Sequence, residues 1–179
     1  MQDKNYVHGL TIVHTGSGKG KTTAALGLAI RAWGEGLKVL ILQFIKGGWK
    51  YGELKALAKF SPDITVRQCG EGFTRRGNTD MQKHIDAAKK TITDAKQEMT
   101  SGKWNMIILD ELNYAVDFGL VPLDDALALI DSKPADMHLV MTGRNAKPEV
   151  IEKADLVTEM KEIKHPFHSG IKAQKGIEF

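Results

Sequence analysis

The sequence predicts a three-layer α/β domain built on a mostly parallel, roughly six-stranded sheet. Apolar runs of strand length alternate with helix-forming segments from Leu10 to Met160, without a repeat, a low-complexity stretch or a linker. The run from Lys38 to Ile45 is almost continuously apolar, as suits a parallel strand covered on both faces. Turns rich in glycine and charge follow the apolar runs at their carboxyl ends, where open α/β sheets gather ligands. With 179 residues, 42% of them apolar, the chain can build the core of a single domain spanning 1–179.

The elements follow in order. Residues 1–8 are polar and too few for a stable helix, so a loose arm is expected. Leu10 to Val13 is a β-branched strand, and Thr22 to Glu35 is a helix with apolar residues almost all round, suited to packing between the sheet and other elements. Gly36 ends that helix. The strand Lys38–Ile45 leads through a loop at 46–52 to a short helix, Glu53 to Phe60, and a third strand, Ile64 to Gln68. The loop 69–78 carries three glycines, Phe73 and two arginines. Thr79 and Gln82 form a capping box for a long helix reaching Ser101, with Gly102 as its stop. A fourth strand is Met106 to Glu111, a helix opens near 121–125 and runs to Asp131, and a fifth strand is His138 to Thr142. Pro148 to Ala154 is a helix, Leu156 to Met160 a sixth strand, and the basic tail 163–179 is irregular or hairpin-like. Loops 15–22, 46–52, 69–78, 111–119 and 143–147 are expected on one rim, which is the predicted active site.

The chemistry centres on Thr15-Gly-Ser-Gly-Lys-Gly-Lys-Thr-Thr23, which reads as strand, phosphate loop, helix. Glycines let a backbone fold closely around phosphate, successive amides form an anion nest, and the positive helix end faces the same spot. Gly16, Ser17, Gly18, Lys19, Gly20, Lys21, Thr22 and Thr23 are the expected nucleotide-binding residues, with Lys21 as mobile cation and the Thr22 hydroxyl on Mg²⁺. Thr15 stands where the usual pattern has its first glycine, and Lys19 is an additional basic residue within the turn. A glycine-rich turn that binds nothing is the bland alternative, and the order strand, glycines, Lys-Thr, helix argues against it. Asp110 and Glu111 close an apolar strand about ninety residues later, the second mark of a P-loop domain of the RecA-like kind, and are read as Mg²⁺ partners.

Composition excludes more than it selects. A net charge of +3 with scattered basic residues favours small anionic ligands at least as well as nucleic acid. One cysteine, Cys69, excludes an internal disulfide, and no apolar run is long enough to span a bilayer. The expected setting is cytoplasmic, without a membrane or nucleic-acid partner.

The phosphate loop, together with Gln43-Phe-Ile-Lys-Gly-Gly-Trp49, Gly72-Phe-Thr74, Leu109-Asp-Glu-Leu112, Thr142-Gly-Arg144 and Lys172-Ala-Gln-x-Gly-Ile177, resembles the ATP:corrinoid adenosyltransferases of the CobA/BtuR (CobO) type, from about Gly9 to Phe179. The resemblance implies attack of a corrinoid Co(I) on the 5′-carbon of ATP with release of triphosphate, so the loop would hold a leaving group. It also implies an ATP pose reversed relative to ordinary P-loop enzymes. Lys21, Glu111 and Phe73 would be the catalytic residues; Thr22, Glu111 and Asp110 would meet Mg²⁺; Arg31 and Arg144 would be further anion clamps. Phe73 matches an aromatic that crowds the corrin's lower face, and Arg75 stands where the family has tryptophan. Ser17 replaces a frequent asparagine, and the arm is shorter than in members whose N-terminal helix covers the site. A reducing flavoprotein and a homodimer are implied as partners.

Each of these has a plainer reading. Arg31 reads equally as a solvated helix residue, Phe73 as loop packing, and Trp49 and Tyr51 as either corrinoid contacts or self-packing aromatics. Cys69 with His165 and His168 is too widely separated to read as a metal site. A small kinase or ATPase would yield ADP and phosphate, and a nucleic-acid module would need a clustered basic stripe.

Overall fold

The computed structural model describes residues 8–48, 51–72 and 81–178. Six parallel strands, β1 (Thr11–Thr15), β2 (Val39–Gln43), β3 (Ile64–Gln68), β4 (Met106–Asp110), β5 (His138–Thr142) and β6 (Leu156–Glu159), stand in the order β3-β2-β4-β5-β1-β6. β5 separates β1 from β4, the RecA-like arrangement. The carboxyl ends of β1 and β4 therefore open on one rim with Thr142 of β5 between them.

Alternation along the central strands builds two cores. Val39, Ile41, Met106, Ile108 and Val140 face α1 (Lys21–Gly34) and α2 (Gly52–Leu57), which contribute Ala25, Ala29 and Leu57. Leu40, Leu42, Ile107, Leu109 and Met141 face α3 (Met81–Thr100), α4 (Leu112–Phe118), α5 (Leu123–Asp131) and α6 (Pro148–Lys153). The three-layer expectation holds. A 3₁₀ turn at Ala58–Phe60 ends the short helix, and another at Pro166–Ser169 lies in the otherwise irregular tail.

Two expectations are corrected. Segment 111–119 is not a loop: Leu112–Phe118 is a helix that buries Leu112, Ala115 and Val116. Its local sequence hides it, because Glu111 precedes it at φ 64 with no side-chain cap, and Asn, Tyr, Val and Phe are weak helix formers. Tertiary burial supplies what propensity lacks. Likewise α1 is not covered all round: Ala25, Ala29 and Ala32 are buried, while Ile30 and Trp33 remain exposed, the latter packing edge-on against Phe60.

Candidate active site

The turn after β1 is shaped by its own chain. Gly16 (φ 99) and Gly20 (φ 107) take left-handed backbone, and a Cβ on Gly16 would lie 2.4 Å from the Met160 carbonyl oxygen. A Cβ on Gly18 would meet Lys161 backbone at 2.8 Å, and the Gly18 amide donates to Met160 O at 2.7 Å. Thus β6's exit packs on the turn, and one amide expected for phosphate is committed to Met160. Thr15 is buried and its hydroxyl accepts the Ala146 amide at 3.0 Å, tying the turn to loop 143–147. That contact is what a threonine contributes at this first position.

No side chain caps α1, so its positive end opens on the turn. The buried Lys21 Nζ donates back to Gly16 O (2.9 Å) and Gly18 O (2.6 Å). Burial lowers the pKa of this ammonium, with Glu111 opposing and Arg144 adding to the shift. Ser17, Lys19 and Thr23 are exposed. Lys19 donates to the Glu178 carboxylate of the tail.

Beside the turn, Asp110 is 1% exposed and engaged on both oxygens. Oδ1 accepts from the hydroxyls of Thr22 and Thr142, each at 2.8 Å, and Oδ2 accepts the Gln43 side-chain amide at 3.1 Å and lies 3.4 Å from Lys46 Nζ. The carboxylate is satisfied as a buried charge must be. Glu111 differs. Its backbone is strained at φ 64, and its amide donates to Thr142 Oγ1 at 2.9 Å. Burial first, and Asp110 second, push its carboxyl up, against the pull of Lys21, Lys46 and Arg144. The Glu111 carboxyl and the Thr22 hydroxyl are both hard-oxygen groups of the kind Mg²⁺ takes. Among the described residues no group of three or more His, Cys, Asp or Glu could hold a metal, so such an ion would need ligand oxygens as well.

The chain matches, over residues 7–179, the family described as ATP:corrinoid adenosyltransferase BtuR/CobO/CobP. It belongs to that family. The corrinoid adenosyltransferase of Pseudomonas aeruginosa is 44% identical over 171 residues, covering 96% of this chain and 84% of the relative. That of Sinorhizobium sp is 41% identical over 181 residues, covering 100% and 84%, and that of Escherichia coli K12 is 37% identical over 171 residues, covering 96% and 86%. The flagellar accessory protein FlaH from Methanocaldococcus jannaschii shares the fold at a TM-score of 0.57 and 13% identity, over 88% of this chain and 73% of that one.

In this adenosyltransferase the rim gathers Lys21, Thr22, Asp110 and Glu111. Arg144 is exposed, with its charge felt at Lys21 and Glu111. Arg31 is not brought to the turn: it is exposed ten residues along α1, about 15 Å away by helix rise. Trp49, Phe73 and Arg75, and the Thr79 cap, lie outside the described residues. The roots of their loops do meet, because a Cβ on Gly47 would lie 2.3 Å from Gly70 O and the Gly72 amide donates to Ile45 O at 3.0 Å.

Lys46, Gln43 and Thr142 lie in motifs that carry the family resemblance, but the sequence assigned them no role. The Lys46 ammonium lies 3.2 Å from Glu53 Oε1 and 4.8 Å from the Tyr51 ring centroid. Burial would lower its pKa, but Asp110 and Glu53 outweigh that and raise it. A lysine just after a buried parallel strand was the available signal.

Proposed function

We infer that this adenosyltransferase moves the 5′-deoxyadenosyl group of ATP onto the Co(I) of a corrinoid and releases triphosphate. The observation that carries the residue roles is the Thr22–Asp110–Thr142 hydrogen-bonded cluster beside the Lys21 ammonium. In the transfer the cobalt electron pair forms the Co–C bond at C5′, the C5′–O5′ bond breaks, and its electron pair leaves on the triphosphate. Charge therefore develops on the phosphate side, where the turn's amides, Lys21 and Arg144 stabilise it. Lys21 exchanges its two carbonyl acceptors for phosphate oxygens. Asp110 keeps the Thr22 hydroxyl oriented by accepting its hydrogen bond, leaving the oxygen's lone pairs free.

Mg²⁺ would be held by Thr22 Oγ1 and Glu111, with Asp110 behind them, and would supply further positive charge to the polyphosphate. Phe73, Arg75 and Trp49 are assigned to the corrinoid side, with Phe73 crowding the corrin's lower face. The electron source is an external reductant such as a flavoprotein. A homodimer is supported by β6, exposed along its whole length, and by exposed Leu156, Ile163 and Phe167. A cytoplasmic setting accords with the lack, among described residues, of a helix long and apolar enough to cross a membrane.

The test mixes the protein anaerobically with Mg-ATP and chemically reduced cobalamin. A light-sensitive Co–C product formed with equimolar triphosphate is the expected result. ADP and phosphate in their place would overturn the reading in favour of phosphotransfer. Phe73→Ala is expected to slow turnover from Co(II) far more than from pre-reduced Co(I), and equal slowing would remove Phe73 from the corrinoid face.

A further inference from the structure

The tail is exposed from Pro166 to Ile177, with Phe167 at 73% and Ile177 at 80%, so it has no core of its own to hold it. Its Glu178 is the exception. That side chain is only 14% exposed and its carboxylate accepts from Lys19, the additional lysine of the phosphate turn. The amides of Ile177 and Glu178 both donate to Gln174 O, a local turn that presents the carboxylate. At its other end the tail leaves the sheet through Met160 and Lys161, whose backbone abuts Gly16 and Gly18. Both ends of the tail thus touch the turn. Both turn lysines are satisfied internally, Lys21 by carbonyls and Lys19 by a carboxylate.

We propose that Glu178 is a stand-in anion: it occupies Lys19 until a polyphosphate arrives, and the polyphosphate displaces it and frees the tail. The proposal rests on the reading of the turn as the triphosphate holder. A multiply charged anion in the turn competes for the same ammonium and repels the carboxylate, so the two cannot both be bound at full strength. By reciprocity, the docked tail weakens polyphosphate binding by the same factor as bound polyphosphate weakens tail docking. The docked tail therefore acts as a brake on rebinding of the released triphosphate, as well as on nucleotide entry.

The test titrates the full-length protein with sodium tripolyphosphate by calorimetry, for wild type, Glu178→Gln, Lys19→Gln and the double variant. Glu178→Gln is expected to bind about two- to fivefold tighter, the range that one exposed ion pair allows. The gain should vanish when Lys19→Gln is already present, which distinguishes release of Lys19 from a general loss of negative charge. In wild type, tripolyphosphate should speed tryptic cleavage after Lys172 and Lys175. Equal or weaker binding by Glu178→Gln, a gain that persists without Lys19, or protection of the tail would each overturn the proposal. Wild type that binds no tripolyphosphate would overturn the leaving-group reading and the proposal with it, whereas wild-type binding that Glu178→Gln leaves unchanged sinks the stand-in role alone.

Discussion

Adjacent carboxylates at the end of β4 sit in opposite environments, and the difference sorts their work. Asp110 receives two hydroxyls, an amide and an ammonium, so replacing it leaves buried donors unmatched. Asp110→Asn is expected to cost about 1–3 kcal/mol of stability, seen as a lower Tm. Glu111 lies where burial first and Asp110 second push its carboxyl up, so its charged form is disfavoured there. Neutral Glu111→Gln is expected to raise the Tm of the nucleotide-free protein in chelator while removing most turnover, the trade typical of a group kept for function. A lower Tm for Glu111→Gln would show the carboxylate to be structural. Lys21 makes its contacts through charge-assisted hydrogen bonds worth about 1.5–3 kcal/mol each. Lys21→Ala should accordingly weaken tripolyphosphate about ten- to a hundredfold by calorimetry.

Element by element, the glycines separate into those the fold requires and those it tolerates. Gly16 sits at φ 99 with Met160 O where a Cβ would be, so Gly16→Ala must push β6's exit away from the turn. The expected result is a Tm drop corresponding to about 1–3 kcal/mol for the left-handed backbone alone, with nucleotide affinity lost as well. Gly27 lies inside α1 with nothing within 4 Å of the place a methyl would take, so Gly27→Ala should raise stability by about 0.4–1 kcal/mol. Thermal melts of the two variants should move in opposite directions. The same contrast marks what was legible in the sequence. β3 and β5 were readable to the residue because strand composition and flanking turns agree, and Lys21, Thr22, Asp110 and Glu111 because their order along strand, turn and helix is dictated by phosphate chemistry. α4 was not legible, since its buried face depends on partners far along the chain. The roles of Gln43, Lys46 and Thr142 were hidden for the same reason: Gln43 and Thr142 end apolar strands and show their polar function only when β2, β4 and β5 bring them to Asp110. Gly16 and Gly18 were legible as necessary, though the close neighbour they admit is Met160 and Lys161 as well as any phosphate.

For the molecule as a whole, the pH dependence of unfolding follows from two histidines on the same sheet. His14, near the end of β1, is buried with Nδ1 lacking a hydrogen-bond partner among the described residues, and burial lowers its pKa below the ordinary 6.5, a backbone bond at Lys21 opposing. His138, at the start of β5, is lowered by burial first and then by the Lys133 charge, and its Nδ1 accepts the Leu10 amide at 3.1 Å. Both imidazoles thus resist protonation more in the native state than in the unfolded chain, which takes up protons below about pH 6.5. The unfolded state then binds more protons, so the stability these groups contribute is present above that pH and is lost as pH falls through their lowered native values. Glu111 acts in the opposite sense, since its raised carboxyl makes stability fall as pH rises above the ordinary 4.5. Glu98, lowered by its Trp104 and Arg67 bonds, acts only below that value. Melting the Glu111→Gln variant between about pH 7.5 and 5.5 therefore isolates the histidines: its Tm should fall steadily with acidification, and adding His14→Gln should flatten the fall. A Tm that stays level in the Glu111→Gln background would mean that both imidazoles protonate in place, and that the ends of β1 and β5 admit water and charge that the packed sheet is inferred to exclude.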